Sequence, residues 1–249
     1  MKSRQLPRRI VQYIIGIVCM AVGLVLLKRT VWGVSPITAV PDAVANITPL
    51  TLGNATILLH AICVVLQIVV QKRVTLKSLL TMCVGVPFGY LVDLFMYFWH
   101  PQLPLWGKIV SLVCGIAVQG FGVALISGCD MMLPAPDELN NVISRVTGKP
   151  LSKIKMIADA VYVATALVIN LFTWLFARDL LVLSIGISSV ASILLTGRFI
   201  GLTFKLFPKV RMEPFFSAGK EASAKEGSVS ARQKTEKVRE YSPAPLFMP

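Results

Sequence analysis

The stretch GCDMMLPAPDELNN, residues 128–141, follows directly after a long apolar run and has the opposite character. It contains one glycine, two prolines, two asparagines and three of the twelve acidic residues of the whole chain. Proline breaks a helix by removing a backbone donor, and acidic side chains are costly inside a bilayer. The stretch therefore predicts the end of a hydrophobic helix, followed by a short polar segment that starts a new element.

The composition of the whole chain explains the apolar run. The chain has 249 residues, of which 55% are hydrophobic and 15% are charged. Soluble domains have about 25% charged residues, and a helix needs roughly 20 mainly apolar residues to span a bilayer. Several runs of this length are present, so the sequence predicts an all-α membrane protein whose first partner is the lipid bilayer.

Apolar runs between clusters of charge predict about six transmembrane helices. They cover approximately residues 10–27, 53–71, 78–98, 109–127, 156–177 and 180–206. The membrane domain is therefore predicted to cover residues 1–211. Residues 212–249 are polar and basic, and they are predicted to form a disordered tail because they cannot bury enough apolar surface to fold.

Lysines and arginines are distributed unevenly between the two sides of the predicted spans. They accumulate at the N-terminus, in the second and fourth connections and after the last span, whereas the other side carries few. Cytoplasmic loops are the ones enriched in Lys and Arg, so both termini are predicted to lie in the cytoplasm. The net charge of +13 is accounted for by this topology, and we expect no nucleic acid partner.

The second half of the chain repeats features of the first at an offset near 99 positions. Leu52 matches Leu151, and His60 matches Asp159, in the same order along the chain. Repeat 1 covers about residues 10–98 and repeat 2 about residues 109–207, with three spans each. An odd number of spans makes the two halves enter the membrane from opposite sides, so the sequence predicts an inverted repeat.

Each repeat inserts about 25 residues between its first two spans, and the stretch at 128–141 opens the second insertion. Both insertions begin with helix breakers and continue as a short amphipathic pattern. In the first insertion Ser35-Pro36 is a plausible helix start, and in the second Asp137 suits the first turn of a helix. Two interpretations stay open: a helix on the membrane surface, or a broken, re-entrant segment that lines a cavity.

Ionisable side chains inside spans are candidates for function, since each costs about 2.5–3.5 kcal/mol on insertion scales. His60 and Asp159 occupy equivalent positions in the two repeats and would share one cavity if both faced the repeat axis. A structural hydrogen bond for His60 and a solvated position for Asp159 are the alternatives. Arg198 is a candidate partner for Asp93. The candidate solute-binding residues are Ser35, Pro36, His60, Asp93, Asp130, Asp137 and Asp159.

Motifs of soluble enzymes are not found in the sequence. It contains no HExxH, P-loop, GxSxG or dinucleotide-binding pattern, and its five cysteines form no CxxC pair. We therefore expect a protein that is not an enzyme and has no catalytic residues, no cofactor and no metal site.

Four stretches of the chain together resemble one family. They are GVSPITAVPDAV at 33–44, LTLGNATILL at 50–59, FGYLVDLFM at 88–96 and MMLPAPDELNNVISRVTGKPLSKIKMIAD at 131–159. Over about residues 8–207 the chain resembles the YczE/YyaS/YitT-type bacterial membrane proteins. The resemblance implies a multi-pass protein of the bacterial inner membrane without an agreed activity. Members often carry a Gly-Thr pair in the last span, where this chain has Ser188-Ser189, so these serines join the candidate binding residues.

Two functions are compatible with these features. Inverted repeats, broken segments and buried ionisable groups favour a small-solute transporter or a substrate-binding membrane subunit. The basic tail favours the alternative, a non-transporting scaffold or regulatory protein that assists the assembly of other membrane-associated proteins. The depth and convergence of the candidate residues discriminate between the two hypotheses.

Overall fold

The computed structural model describes residues 2–99, 103–129, 131–177 and 184–210. Within these ranges the chain forms eight helices and no strand, and a short 3-10 turn follows at Pro208–Val210. The helices are α1 Lys2–Arg29, α2 Pro36–Ile47, α3 Leu52–Gln71, α4 Leu76–Phe98, α5 Leu105–Cys129, α6 Ala135–Thr147, α7 Leu151–Ala177 and α8 Ile187–Leu206. Asp130 and the predicted tail at 212–249 lie outside the described residues.

Six of these helices are long and apolar enough to cross a membrane, which confirms the predicted number of spans. They are α1, α3, α4, α5, α7 and α8. The span in α7 begins at Leu151, five residues before the predicted start at 156. The early start includes Lys153 and Lys155, whose long apolar stems can cover apolar surface while the charged ends reach polar groups.

The most extensive helix packing is between α1 and α5, which pack together along most of their length. Gly23 approaches Gly115 so closely that a Cβ atom at Gly23 would lie 2.8 Å from the Gly115 carbonyl oxygen. A Cβ atom at Gly122 would lie 2.7 Å from the Gly16 carbonyl oxygen. Small residues allow such close approach of helices in membranes, where van der Waals packing replaces the hydrophobic effect.

Of the other spans, α4 packs on α1 and α8 packs on α5, and successive spans alternate in direction. Arg9 donates to the carbonyl of Cys129 at 2.7 Å, so the start of α1 and the end of α5 lie on one side of the molecule. We call this side the N-terminal face. On the opposite face, Arg29 at the end of α1 donates to the carbonyl of Met96 near the end of α4, also at 2.7 Å. The two ends of α1 therefore lie on opposite faces of the molecule.

The two short helices, α2 and α6, follow the breakers that the sequence contains. Ser35 is extended and precedes Pro36, which begins α2; Pro136 lies in the first turn of α6. Gly33, with φ of +92°, and Gly148, with φ of +66°, adopt the left-handed backbone that favours glycine. About half of the residues of each short helix are buried, because α2 packs on α3 and α7 and α6 packs on the same two spans.

The remaining packing pairs α4 with α1 and with α3, and α8 with α5. By contrast, α7 and α8 make few contacts with each other within the described residues. Their outer surfaces carry exposed apolar side chains, as expected for helices that face lipid.

Candidate functional site

The start of α2 lies inside the molecule, beside the middle of α5. Gln119, which is 14 residues after the start of α5 and 10 before its end, donates from Nε2 to the Ser35 hydroxyl at 3.5 Å. The Ser35 hydroxyl also lies 2.9 Å from the Thr38 hydroxyl. Gln119 is buried, and its Oε1 has no hydrogen-bond partner among the described residues.

The candidate serines of α8 lie against the segment that leads into α2. The Ser189 hydroxyl donates to the Val34 carbonyl at 2.5 Å, and the Ser188 backbone N–H donates to the Trp32 carbonyl at 3.0 Å. Gly33 and Gly186 pass so close that a Cβ atom at Gly33 would lie 2.5 Å from the Gly186 nitrogen. The structure therefore brings Ser35 and Pro36 near Ser188 and Ser189. Both α8 serines are buried, and both hold backbone in place.

The start of α6 is held by a fully buried side chain of α3. Gln67 donates from Nε2 to the Ala135 carbonyl at 2.9 Å, and its Oε1 has no hydrogen-bond partner among the described residues. Gln67 precedes the end of α3 by about one turn, so α6 begins within the layer of the spans. Both short helices thus begin beside a buried glutamine whose carbonyl oxygen can still accept a hydrogen bond.

Charged groups of the N-terminal half of α7 lie next to this start. The Lys155 ammonium is 3.1 Å from a carboxylate oxygen of Asp137, in the first turn of α6. Asp159 is one helical turn after Lys155, on the same face of α7, and it is half-buried. Asp137 also lies within electrostatic range of Asp159, Tyr162 and His60. Three of the candidate residues, Asp137, Asp159 and His60, therefore lie in the neighbourhood of the start of α6.

An apolar cluster joins the two starts at the centre of the molecule. Leu59 and Cys63 of α3 pack with Ala135 and Leu139 of α6, and Ile37 in the first turn of α2 packs against this cluster. At its edge the thiol of Cys63 lies 3.7 Å from the hydroxyl of Tyr162 on α7. The first turns of α2 and α6 therefore meet around a centre that α3 and α7 line.

His60 does not line an open space in this structure. Its Nδ1 lies 2.8 Å from the Thr56 carbonyl, and its ring packs at 5.9 Å from that of Phe88. A Cβ atom at Gly85 would lie 2.9 Å from the ring, so α4 closes that side. The structural hydrogen bond is thus what the structure contains, and the predicted cavity shared by His60 and Asp159 has no support at His60.

Asp93 has a different partner from the one that the sequence suggested. Its carboxylate accepts a hydrogen bond from the Thr51 hydroxyl at 2.5 Å and from the Gly53 backbone N–H at 2.7 Å. The suggested pairing with Arg198 is not formed among the described residues, because α4 and α8 do not pack on each other and Arg198 is exposed on α8. Asp93 instead accepts a hydrogen bond from the otherwise unpaired Gly53 N–H in the first turn of α3. The positive end of the helix dipole favours a carboxylate at this position.

Two buried carboxylates were not among the sequence candidates. Asp42 of α2 forms an ion pair with Lys28 of α1, and Glu138 of α6 lies 2.9 Å from Lys77 of α4. The exposed Arg145 also reaches Glu138, at 3.0 Å. A signal was present for Asp42, which is the first acidic residue of the chain and follows a proline. Gln67 and Gln119 were also missed, although each interrupts a long apolar run.

Among the residues that the structure describes, no group of three His, Cys, Asp or Glu side chains could hold a metal ion. A search of curated proteins found no match. A search of solved structures found none either. Residues 7–205 match the model described as "Family of unknown function (DUF6198)", which covers most of the chain. The chain is thus a multi-pass membrane protein that belongs to DUF6198, a family of unknown function.

Proposed function

We propose that this protein is a small-solute transporter, or the substrate-binding membrane subunit of one, and that it is not an enzyme. We further propose that it is built from two inverted three-span repeats, each with a re-entrant short helix, and that it is related to the YczE/YyaS/YitT-type proteins of the bacterial inner membrane. The observation that carries the proposal is a set of paired contacts. Replacing each residue of one contact by the residue 99 positions away in the chain gives the other contact.

The reciprocal contacts lie between α1 and α5. The Gln12 amide donates to the Leu125 carbonyl at 3.1 Å, and the Ser111 hydroxyl donates to the Leu26 carbonyl at 2.8 Å. Gln12 and Ser111 are 99 positions apart, and so are Leu26 and Leu125. Exchanging each residue for its equivalent therefore turns one hydrogen bond into the other. A twofold axis between the helices has this consequence, because it relates each contact to a copy with the partners exchanged.

The close contacts of the glycines follow the same rule. A Cβ atom at Gly23 would lie 2.7 Å from the Gln119 nitrogen, and one at Gly122 would lie 2.8 Å from the Met20 nitrogen. Gly23 and Gly122 are 99 positions apart, and so are Met20 and Gln119. The pattern thus extends over several turns of both helices, which supports duplication over chance similarity.

Equivalent residues also touch each other at the centre of the fold. Cys63 and Tyr162 are 99 positions apart and their side chains are in contact at 3.7 Å. Two equivalent residues can meet only where they approach the axis that relates them. This contact supports an axis that passes between α3 and α7, beside the starts of α2 and α6.

Whole helices exchange partners in the same way. Helix α1 packs on α4 as α5 packs on α8, and α2 packs on α7 as α6 packs on α3. Secondary transporters built from inverted repeats place their solute site at the repeat interface, where broken helices begin. We therefore propose that the solute binds between the starts of α2 and α6, beside Ser35, Asp137 and Asp159. The amide oxygens of Gln67 and Gln119 would accept hydrogen bonds there.

The N-terminal face is proposed to lie in the cytoplasm. The connection between α3 and α4 carries Lys72 and Arg73, and Lys149 and Lys153 flank the start of α7. These positive residues lie on the side on which α1 begins. Retention of Lys and Arg on the cytoplasmic side supports this orientation.

Uptake into vesicles tests the function. Purified protein is reconstituted and offered a panel of labelled amino acids, organic acids, sugars and amines. We expect uptake of one class above that of empty vesicles. Asp137→Asn should reduce that uptake by at least tenfold, because it removes the charge that faces Lys155 at the proposed site. Lys205→Gln, an exposed change on α8, is the control and should retain uptake.

Failure of every class to enter vesicles that contain folded protein would contradict transport. That result would favour the second candidate function, a membrane scaffold or assembly factor. The close packing of His60 against Phe88 and Gly85 is the observation that favours this alternative. Co-purification of a membrane partner with the intact chain would then be the deciding measurement.

A further inference from the structure

We infer that two buried ion pairs act as latches that close the proposed solute path at its two faces. The first latch is Asp42 with Lys28, on the opposite face, and the second is Glu138 with Lys77, on the N-terminal face. In each latch the carboxylate belongs to a short helix and the lysine belongs to a span. The inference rests on the proposed transport function, but its test does not require a known solute.

The first latch joins α2 to the last turn of α1. Asp42 is only 2% exposed, whereas the Lys28 side chain keeps 25% of its surface exposed. Lys28 also donates to the side-chain Oδ1 of Asn46 at 3.4 Å. The Nδ2 of Asn46 donates to Asp42 at 3.4 Å and to the Ser184 hydroxyl at 3.3 Å. The latch therefore connects α1, α2 and the segment before α8 where they reach the opposite face.

The second latch joins α6 to the first turn of α4. Glu138 is 2% exposed, and the Lys77 side chain keeps 33% of its surface exposed. Arg145, two turns later on α6, lies 3.0 Å from the same carboxylate oxygen and is itself largely exposed. As in the first latch, a buried carboxylate is paired with a lysine that can still reach water.

The energetics favour a switching role for these pairs over a stabilising one. Burying two charges costs desolvation energy that their attraction barely repays, so a buried ion pair is weak evidence for stability. Removing one partner is strongly unfavourable, however, because the remaining charge is buried alone. Movement of the short helix would let water reach both charged groups. Each pair thus holds its short helix in the closed position. In the open position water would hydrate both charged groups instead.

Both latches are closed in this structure. Opening one latch while the other stays closed would expose the centre of the molecule to one side only, as transport requires. Cys63 reports on this exposure, because it lies at the centre between the two short helices and is only 1% exposed. Its reaction with a thiol reagent measures how often each side opens.

The experiment uses the full chain with Cys63 as its only cysteine. The other cysteines, Cys19, Cys83, Cys114 and Cys129, are replaced by Ala. A membrane-impermeant maleimide is applied to vesicles of either orientation. We expect Asp42→Asn to raise labelling of Cys63 from the opposite face about tenfold, and Glu138→Gln to raise it about tenfold from the N-terminal face, because each loses one partner of a buried pair.

Matched controls separate the latches from general effects of charge. Lys108→Gln near the opposite face and Lys205→Gln near the N-terminal face should leave the labelling unchanged. A charge-exchanged variant, Lys28→Asp with Asp42→Lys, should return labelling toward the starting rate if the pair itself closes the path. This variant also shows whether a change at position 42 merely unfolds the protein.

Unchanged labelling in both single variants, or an equal rise from both faces in either one, would overturn the inference. The result is independent of transport. If each variant opens one face but vesicles take up no solute, the latches stand and the proposed function fails. If vesicles take up a solute but labelling does not respond, the latches fail and transport stands.

Discussion

The pair α3–α4 and the pair α7–α8 are the last two spans of their respective halves, yet they pack differently. Helices α3 and α4 pack closely, whereas α7 and α8 make few contacts with each other in the described residues. Both α4 and α8 carry two glycines four positions apart, Gly85 and Gly89 in α4 and Gly197 and Gly201 in α8. Among the described residues, no atom beyond the helix's own neighbouring backbone lies within 4 Å of a Cβ placed on either glycine of α8. The glycine spacing alone therefore does not bring two helices together.

What differs is the start of the partner helix. In α3 the bare backbone of Gly53 lies against Gly89, and Asp93 of α4 accepts the Gly53 N–H at 2.7 Å. The offset of 99 positions places Ser152 at the position of Gly53. Matching the glycine pair of α4 to that of α8, 112 positions later, places Lys205 at the position of Asp93. A side chain then replaces bare backbone, and a cation replaces the carboxylate that suits a helix start. We expect these two differences to account for the looser packing of α7 and α8.

The largest effect is expected from filling the α3–α4 contact. Gly53→Val would place side-chain atoms on the Gly89 carbonyl and on Asp93, where backbone and carboxylate leave no space. We expect a loss of about 3 kcal/mol in the free energy of unfolding, the upper range for overpacking. Gly201→Val in α8 is the matched control and should change it by less than about 0.5 kcal/mol. Denaturation in mixed micelles, followed by circular dichroism, measures both; equal losses would remove the distinction between the pairs.

A smaller effect is expected from removing the carboxylate. Asp93→Ala leaves the Thr51 hydroxyl and the Gly53 N–H without their acceptor. Loss of a helix cap typically costs about 1 kcal/mol, and up to about 2 kcal/mol. The same denaturation experiment on Lys205→Ala should give a change near zero. A neutral result for Asp93→Ala would mean that Thr51 alone suffices to cap α3.

Gly85→Ala should have a smaller effect again. A Cβ atom at Gly85 would lie 2.9 Å from both the Cβ atom and the ring of His60, so the His60 side chain must shift as a whole. We expect a loss of about 1 kcal/mol, at the low end for overpacking. Gly197→Ala, the equivalent change in α8, should be neutral or slightly stabilising, since alanine favours helices over glycine. A thermal shift of folded protein in detergent compares the two variants, and identical shifts would show that His60 adapts freely.

The smallest change in stability is expected from copying the α3–α4 features into the second half. Ser152→Gly together with Lys205→Asp should favour contact between α7 and α8, with a gain of about 0.5 kcal/mol from the helix dipole. Proximity is measured by oxidative cross-linking of Asp159→Cys to Gly197→Cys, the positions equivalent to His60 and Gly85. Cross-linking should increase in the copied variant. An unchanged yield would mean that residues other than these two separate the helices.

Some features could be predicted from local sequence because they depend on local composition. Long apolar runs predicted six spans, since the cost of placing polar groups in a bilayer is paid residue by residue. Breakers at Ser35-Pro36 and at Pro134 and Pro136 predicted two short helices that interrupt the spans. These elements are present, and the helix starts lie near the expected residues.

The partners of the polar residues could not be predicted in this way. The sequence suggested Arg198 for Asp93, but the structure pairs Asp93 with the start of α3. For His60 it left a shared cavity and a structural hydrogen bond open; the structure contains the hydrogen bond to Thr56, with α4 packed against the ring. It did not suggest the pairs of Asp42 with Lys28 or of Glu138 with Lys77. Each of these outcomes depends on which helices become neighbours.

The sequence by itself determined that this chain is a multi-pass membrane protein with six spans and two short interrupting helices, because hydropathy and helix breaking act over neighbouring residues. Only the tertiary structure decided which buried charges form ion pairs and which glycines lie against another helix. It also decided that α3 packs closely on α4 whereas α7 and α8 make few contacts. These properties depend on close approach between helices far apart in the chain.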